Sequence, residues 1–429
     1  MNNDKIDVQK DLLALSKIFN NAGFSLYLVG GALRDMYLGR RNYDTDVATD
    51  AKPEDVVRLF RRTIPTGIKH GTVTIRYRGN NIECTTLRRE AGYSDARHPD
   101  LVEYGSSITD DLSRRDFSMN AIAASLPDGT IIDPYNGRKD IANGIIRAVG
   151  EPLMRFSEDG LRPMRAIRFA SQLGFQIEEQ TLQAIPLSLE RMRNVSVERF
   201  QDEFNKMLRG KYFSRAMLLM HQTGVMQLFL PKLCKLSETD LLDMLDSISF
   251  LPEDALTLKL SLIAYWIYEQ ERKQDIEQKE RLAELETMLK TLKYPNKVTE
   301  DVLRNVEQCN FAIEVLKTQA DIRRFLKRIG PNNVSDIFSL KKAIAPSSSH
   351  DVQRLESEVG AILKNSPVLS IKELAIDGKD LLDFGISKGP KIGKILSNLL
   401  DDVIEEPSLN TREQLMQRVK KNYSMIDTF

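Results

Sequence analysis

A chain of 429 residues, 41% of them hydrophobic, is too long for one core and divides into two to four domains. Its 61 Lys and Arg balance 61 Asp and Glu, which speaks against a generic nucleic-acid coat that binds by phosphate neutralisation and leaves room for a local basic face. Three scattered cysteines (Cys84, Cys234 and Cys309) and four histidines show no metal-ligand spacing, so buried thiols in a reducing compartment are expected and zinc is not.

The N-terminal stretch MNNDKIDVQKDLL lacks the apolar core of a signal peptide. No stretch approaches the roughly 18 to 20 apolar residues of a membrane helix; a cytoplasmic protein without a membrane partner is expected. Residues 5–22 carry helically spaced apolar side chains. Short β-rich runs follow at Leu26 to Val29, Val73 to Tyr77, Ile82 to Thr86, and Ile131 with Ile132. Arg78-Gly79-Asn80-Asn81 predicts a hairpin turn between two of them. With helical segments interspersed, this reads as a mixed α/β domain ending near residue 150.

From about residue 157 the pattern is almost wholly helical, through 157–227, 252–293 and 297–329. The Glu, Lys and Arg between Tyr268 and Lys293 read as a solvated helix face. Pro346 to Ser349 reads as a linker and 350–365 as a helix. Ser387-Lys388-Gly389-Pro390 predicts a turn leading into a helix. Asn410-Thr411-Arg412-Glu413-Gln414 predicts a capped helix start. The fold class is α+β, a mixed N-terminal head followed by helices.

Four constellations carry chemistry. In Leu28-Val29-Gly30-Gly31-Ala32-Leu33-Arg34-Asp35 an apolar strand runs into two glycines and a helix. Gly30 and Gly31 let backbone amides approach a phosphate, and Arg34 can clamp a triphosphate, although a plain strand–turn–helix looks the same. Asp44-Thr45-Asp46 follows about ten residues later. If Tyr43 to Val47 is a strand, period 2 puts both carboxylates on one face, where they can share hard cations such as Mg²⁺ whose shell substrate phosphates complete. Glu83, an acid inside the apolar run Ile82 to Thr86, either joins that site or faces solvent.

The third constellation, Asp110 to Ala121, gathers Arg114, Arg115 and Asp116 with Phe117 before a helical segment. An arginine of the pair Arg114 and Arg115 can bind phosphate, and Asp116 can accept from ribose hydroxyls, although a charged helix start looks the same. The fourth, Ser157 to Phe169, spaces Asp159, Arg162, Arg165 and Arg168 by three, so on a helix they form one ridge. An acceptor beside donors can pair with a base edge. Cytosine and adenine both offer the exocyclic amine that Asp159 would accept. An ordinary ion-pair ladder has the same spacing.

Taken together, these residues resemble the class II tRNA nucleotidyltransferases, the CCA-adding enzymes of the polymerase-beta-like superfamily. The resemblance rests on LVGGALRD (28–35), DTD (44–46), HGTVTI (70–75), IECTTLR (82–88), RHPDLVEY (97–104), DDLSRRDFSMNAIA (110–123), DPYNGRKDI (133–141) and RFSEDGLRPMRAIRFASQLGF (155–175). Near the C-terminus LAIDGKDLL (374–382), GPKIGKIL (389–396) and LNTREQL (409–415) extend it over nearly the whole chain.

It implies a nucleotidyltransferase head (1–150), a neck that recognises the base (151–230), a helical body (231–349) and a tRNA-binding tail (350–429). It implies metal binding by Asp44 and Asp46, and Glu83 stands beside them as a candidate third catalytic acid. Nucleotide contacts would come from Gly30, Gly31, Arg34, Arg115, Asp116, Asp159, Arg162, Arg165 and Arg168, with Asp159 and Arg162 as a protein template. Arg89 to Glu103 corresponds to a flexible loop of full length.

The implied reaction adds C, C and A to the 3′ end of tRNA from CTP and ATP, with Mg²⁺ and release of pyrophosphate. Lys388, Lys391 and Lys394 are candidates for tRNA phosphate contact, or a solvated cluster. The oligomeric state, monomer or homodimer, is open.

Three features depart from the family pattern. Thr45 replaces a more usual hydrophobic residue. Gly160 and Pro163 interrupt the expected template helix, which either starts near Pro163 or kinks there. Lys259 to Trp266 lacks the His-Asp pair of relatives that carry a phosphohydrolase, so that activity is not expected. The alternatives are an A-adding-only enzyme, a poly(A) polymerase and, more remotely, a non-catalytic RNA-binding module.

Overall fold

The computed structural model describes residues 4–40, 45–67, 71–91, 101–105 and 107–423. The chain forms two compact units, one of residues 1–241 with 291–293 and one of 242–290 with 294–429.

The first unit begins with helix α1 (Lys10–Asn21), whose spaced Leu12, Leu15 and Phe19 are buried. Strand β1 (Leu26–Val29) leads into α2 (Gly31–Tyr37), then β2 (Thr45–Thr49), α3 (Pro53–Leu59) and β3 (Thr63–Gly67). Strands β4 (Thr72–Tyr77) and β5 (Asn80–Thr86) form a hairpin. Its register pairs Tyr77 with Asn80, leaving a two-residue turn. Arg78 and Gly79 both have positive φ, 50° and 85°, the mirror-image turn that matches the right-handed twist of the strands. The turn is thus tighter than the four residues read from sequence, and Asn80 and Asn81 belong to β5.

Strands β6 (Arg88–Ala91) and β7 (Leu101–Tyr104) pair as a separate antiparallel ribbon. The stretch expected as a loop therefore has strand flanks, and its middle lies outside the described residues. Helix α4 (Ile108–Ser113), strands β8 (Ala123–Leu126) and β9 (Ile131–Ile132), and helix α5 (Gly137–Asn143) complete the sheet region. The seven-stranded sheet runs β3-β4-β5-β2-β1-β8-β9. Only β2 and β5 pair in parallel within it; the other neighbours are antiparallel. One face carries Val29 and Ala48 into a core with Leu87, Ile108, Leu112 and Val149.

Helices α6 (Pro152–Glu158), α7 (Arg162–Leu173), α8 (Glu179–Leu187), α9 (Leu189–Met192) and α10 (Val197–Leu208) follow in the same unit. Helix α7 starts at Arg162, with Pro163 in its first turn, where a missing N–H breaks no helical bond. There is no kink. The expected four-residue ridge is corrected accordingly: Asp159 has extended backbone between α6 and α7, and only Arg162, Arg165 and Arg168 share the helix. Gly160 makes the close approach at that junction, since a Cβ there would lie 2.7 Å from the Arg191 carbonyl oxygen.

The second unit is helical. Helices 319–329 and 334–344 enclose Phe325, Phe338 and Ile337 with Phe311. The helix 349–364 adds Val352, Leu355 and Val359 to this core. A separate core begins at Leu374 and gathers Leu381, Ile395, Leu399, Val403 and Leu415. Arg323 joins the two cores by donating to the carbonyls of Ile404 at 2.6 Å and Glu405 at 3.1 Å. No described helix is long and apolar enough to cross a membrane.

The packing at Gly160 gives a first prediction. Gly160→Ala should destabilise the protein by about 1–3 kcal/mol through overpacking. For a unit of this size that lowers the melting temperature by roughly 2–4 °C per kcal/mol, measurable by thermal unfolding followed by circular dichroism; an unchanged melting temperature would contradict the close approach.

Candidate active site

Strand β1 ends at Gly30, whose φ of 69° and ψ of −132° suit glycine. A Cβ there would stand 2.8 Å from Arg115 Nη1 and 3.9 Å from Asp46 Oδ2. The bare backbone leaves room for the end of the Arg115 guanidinium at the turn, beside Asp46.

Asp46 on β2 is the register partner of Glu83 on β5, and Glu83 is the register partner of Thr74 on β4. One row across three strands thus reads Thr74, Glu83, Asp46. Glu83 faces the cleft between buried Ile82 and Cys84, whose side chains take the opposite face. Burial pushes the Cys84 thiol up to about 12, so it stays neutral and takes no part in ionic chemistry. Asp44 lies outside the described residues.

The cleft over this row has a volume of about 1060 Å³. It brings together Gly30, Gly31, Arg34, Asp46, Glu83, Arg115, Asp116, Asp159, Arg162, Arg165 and Arg168, every sequence-predicted head and neck residue except Asp44. Lys388, Lys391 and Lys394 belong to the second unit, just before and within the first turns of the helix 390–405. Lys388 and Lys394 are exposed there, and Lys391 is half-buried.

A hydrogen-bonded lattice holds the arginines. Arg34 donates from Nη1 to Asn120 Oδ1 at 2.8 Å and pairs with Asp35. Asn120 Nδ2 donates to Asp116 Oδ1 at 3.0 Å. Arg165 donates from Nε to Asp116 Oδ2 at 2.9 Å and reaches Glu203 on α10. Glu203, 3% exposed, also accepts from Arg168 Nε at 2.8 Å. The Phe169 ring lies beneath the Arg168 guanidinium at 3.5 Å, with Arg34 and Arg165 at 5.2 and 5.5 Å. Asp111, 1% exposed, pairs with both Arg114 and Arg115. The Arg115 Nε is buried without a hydrogen-bond partner.

Burial opposes charge on Asp116, but the Arg165 guanidinium and the Asn120 amide outweigh it and hold the carboxyl below its ordinary range. Burial likewise opposes charge on Asp111, and Arg115 and Arg114 overcome it. Both acids are ionised, as buried charges must be when they have partners.

With the geometry in place, similarity to known proteins becomes specific. A family profile described as "Poly A polymerase head domain" matches residues 26–147. One described as "Probable RNA and SrmB- binding site of polymerase A" matches 174–236, and "tRNA nucleotidyltransferase domain 2" matches 277–419. A curated CCA-adding enzyme from Geobacillus sp. (strain WCH70) is 34% identical over 405 residues, covering 94% of each chain. One from Lactobacillus helveticus (strain DPC 4571) is 35% identical over 413 residues, covering 96% of this chain and 97% of its own. The chain belongs to the CCA-adding enzymes. The structure of the Bacillus stearothermophilus CCA-adding enzyme in complex with CTP matches with a TM-score of 0.78 at 30% identity, over 97% of this chain and 98% of that one.

Within this CCA-adding fold, Asp159 and Arg162 do not form the ion-pair ladder that their spacing also allowed. Asp159 does not pair with Arg162. It takes a two-pronged ion pair from Arg199 on α10, at 3.1 and 2.8 Å. Arg162 is buried and donates to the carbonyls of Arg155 at 2.7 Å and Arg114 at 3.0 Å, and to Glu158. Sequence reasoning also missed Asn120, Asp111, Arg199 and Glu203. The i,i+3 and i,i+4 spacing of Asp111 to Arg114 and Arg115 was a usable signal. Arg199 and Glu203 act across 35 to 40 residues of chain, and Asn120 meets Arg34 across 86; these long-range pairings left none.

The lattice predicts a pH signature. A carboxyl depressed on folding contributes stability above its unfolded value, and that stability is lost as pH falls through its folded value. Wild type should therefore exceed Asp116→Asn in unfolding free energy above about pH 5, and the gap should shrink as the solution is acidified below about pH 4. Urea unfolding at several pH values reads this, and a gap independent of pH would refute it.

Proposed function

We propose that this protein adds C, C and A to the 3′ end of tRNA, using CTP and ATP and releasing pyrophosphate. The observation that carries the reading is the in-register pair Asp46 and Glu83 beside an arginine-lined cleft, in a chain matched end to end by relatives named CCA-adding enzymes. The crystallised relative holds CTP, the substrate class that cleft suits. Action on tRNA places the protein in the cytoplasm.

The fold family implies a divalent cation, and the chemistry of the donors fits one. Asp46 and Glu83 offer only hard oxygen ligands, as Mg²⁺ prefers. The described residues contain no cluster of three possible ligands, and Asp44 supplies the further carboxylate in this proposal. When bound, Mg²⁺ would lower the pKa of the attacking 3′-hydroxyl and neutralise the leaving pyrophosphate.

The chain's own residues do the remainder. Gly30 and Gly31 bring backbone close to the triphosphate, and Arg34 and Arg115 balance its charge. The orphan Arg115 Nε is a donor ready for an oxygen. Asp116, kept ionised by Arg165 and Asn120, accepts from the ribose. Arg165 and Arg168, locked on Glu203 and Phe169, give the wall a fixed positive field rather than mobile charges.

Asp159 reads the base. A carboxylate has about four lone-pair sites; Arg199 occupies two of them and the Leu161 backbone N–H a third, which leaves one for the exocyclic amine of C or A. G and U do not present that amine in the same place. Arg162 contributes to the template from a buried position at the head of α7. A helix that begins at Arg162 without a kink supports full CCA addition over A-only addition, since Pro163 leaves the donors of α7 undistorted.

We place the head at 1–150, the neck at 151–230, the body from 231 and the tail at the C-terminus. The body–tail boundary proposed from sequence, at 350, is better supported near 370, where the second core begins. Lys388, Lys391 and Lys394 are the proposed tRNA-phosphate contacts of the tail.

Labelled CTP and ATP, supplied with Mg²⁺ to tRNA ending at the discriminator base, at C and at CC, should be incorporated on all three. Incorporation of ATP alone, and only on the CC end, would instead mark an A-adding enzyme. Asp46→Ala should lower incorporation by at least roughly 100-fold, as loss of a metal ligand exceeds the 10- to 100-fold cost of losing its supporting partners; full activity would overturn the catalytic assignment. Asp159→Ala should erode discrimination against UTP by about 1–3 kcal/mol, read as the ratio of kcat/KM for CTP and UTP.

A further inference from the structure

The two sides of the carboxylate row differ in kind. On the β1 side stand Gly30 and the arginines held by Asp111, Asp116 and Glu203. On the other side, across β5 and β4, the same face of the sheet carries Asn81, Thr85, Thr72 and Thr74. The Thr72 and Thr85 hydroxyls lie 3.2 Å apart across the register pair that joins them. This floor is neutral, and Arg88 is the cation at its margin. Tyr104, 39% exposed, stands beside Arg88 over Gly71, where a Cβ would lie 3.0 Å from the Tyr104 ring and 3.6 Å from Arg88 Nη1.

Nucleotidyl transfer constrains what each side can hold. The attacking oxygen and the leaving pyrophosphate lie roughly in line, with the metal-binding carboxylates between them. A triphosphate, the more highly charged partner, belongs on the arginine side. The acceptor strand end then lies over β5 and β4. Neighbouring strands are about 4.8 Å apart, so this floor has the width for a terminal nucleotide. A hydroxyl both donates and accepts, which matches a ribose 2′-hydroxyl better than it matches a phosphate.

We propose that the Thr72–Thr74–Thr85 floor is the seat of the terminal ribonucleotide of the acceptor strand, with recognition of its 2′-hydroxyl by the threonine hydroxyls. Arg88 holds the preceding phosphodiester, and Tyr104 offers the adjoining base a stacking surface. The site therefore distinguishes an RNA end from a DNA end on the side away from the incoming nucleotide. This inference rests on the nucleotidyltransferase reading above.

The test is the double variant Thr72→Val with Thr85→Val. Replacing both members of a hydroxyl pair by groups of the same shape leaves no buried polar atom unpaired, so the fold is retained. Steady-state kinetics would use ATP with tRNA ending in CC, carrying either a ribose or a 2′-deoxyribose at the terminal nucleotide. Loss of one to two hydrogen bonds should raise KM for the ribose-ended tRNA by roughly five- to tenfold, leave KM for ATP unchanged, and shrink the wild-type preference for ribose over deoxyribose. An unchanged KM for tRNA, or a parallel rise in KM for ATP, would overturn the assignment while wild-type incorporation still stood. Failure of the wild type to extend any tRNA would instead remove the reading on which the assignment depends.

Discussion

Glu203 is the constraint on which the cleft depends. It is 3% exposed, and an isolated carboxylate at that depth would cost several kcal/mol or shed its charge. Arg165, Arg168 and Lys206 surround it and supply the partners that such depth requires. Arg165 in turn crosses to Asp116, and Asp116 to Asn120 and Arg34. A single chain of charge-assisted bonds thus runs from helix α10, through α7, to the turn after β1. Removing Glu203, Arg165 or Asp116 takes a charged partner from a buried ion pair. The lattice fixes the neck helices to the sheet, and the active-site wall is the exposed side of that joint.

The same lattice explains how a chain with zero net charge presents a cationic wall. Asp111 backs Arg114 and Arg115, Asp116 and Glu203 back Arg165, Glu203 backs Arg168, Asp35 backs Arg34 and Glu158 backs Arg162, and all six arginines line the cleft. The field is local, and its sign is set by which side of the pair is solvated. Bulk charge therefore spoke only against indiscriminate binding and was silent about the site.

Much of the head was legible because it follows local rules. β4 and β5 were found as apolar runs around a turn, with Glu83 marked as an acid inside the second. What could not be read was register. β2 and β5 are parallel neighbours separated by β3 and β4 in sequence, and only their pairing sets Asp46 against Glu83. The error at Asp159 has a physical cause as well. Spacing by three implies a ridge only if the helix already exists at the first residue, and Pro163 marked the helix start that denied it. A proline in a first turn was the better signal than the periodicity. Arg199, 40 residues on, had no pattern to announce its pairing with Asp159.

That displacement matters for how a protein can act as a template. On one rigid helix, Asp159 and Arg162 would move together and present a fixed pattern. Here Asp159 sits on extended backbone tied to α10 through Arg199, while Arg162 heads α7 and is tied to α6 through Glu158 and the Arg155 carbonyl. The acceptor and the donor of the template are thus mounted on different elements. A pyrimidine and a purine place their exocyclic amines and ring nitrogens at different distances from the sugar. In the proposed reading, two groups mounted on different elements are suited to meeting both arrangements, and the α6–α7 junction between them is closely packed at Gly160. The glycine and proline at the break between α6 and α7 are what separates the two groups proposed to read the base.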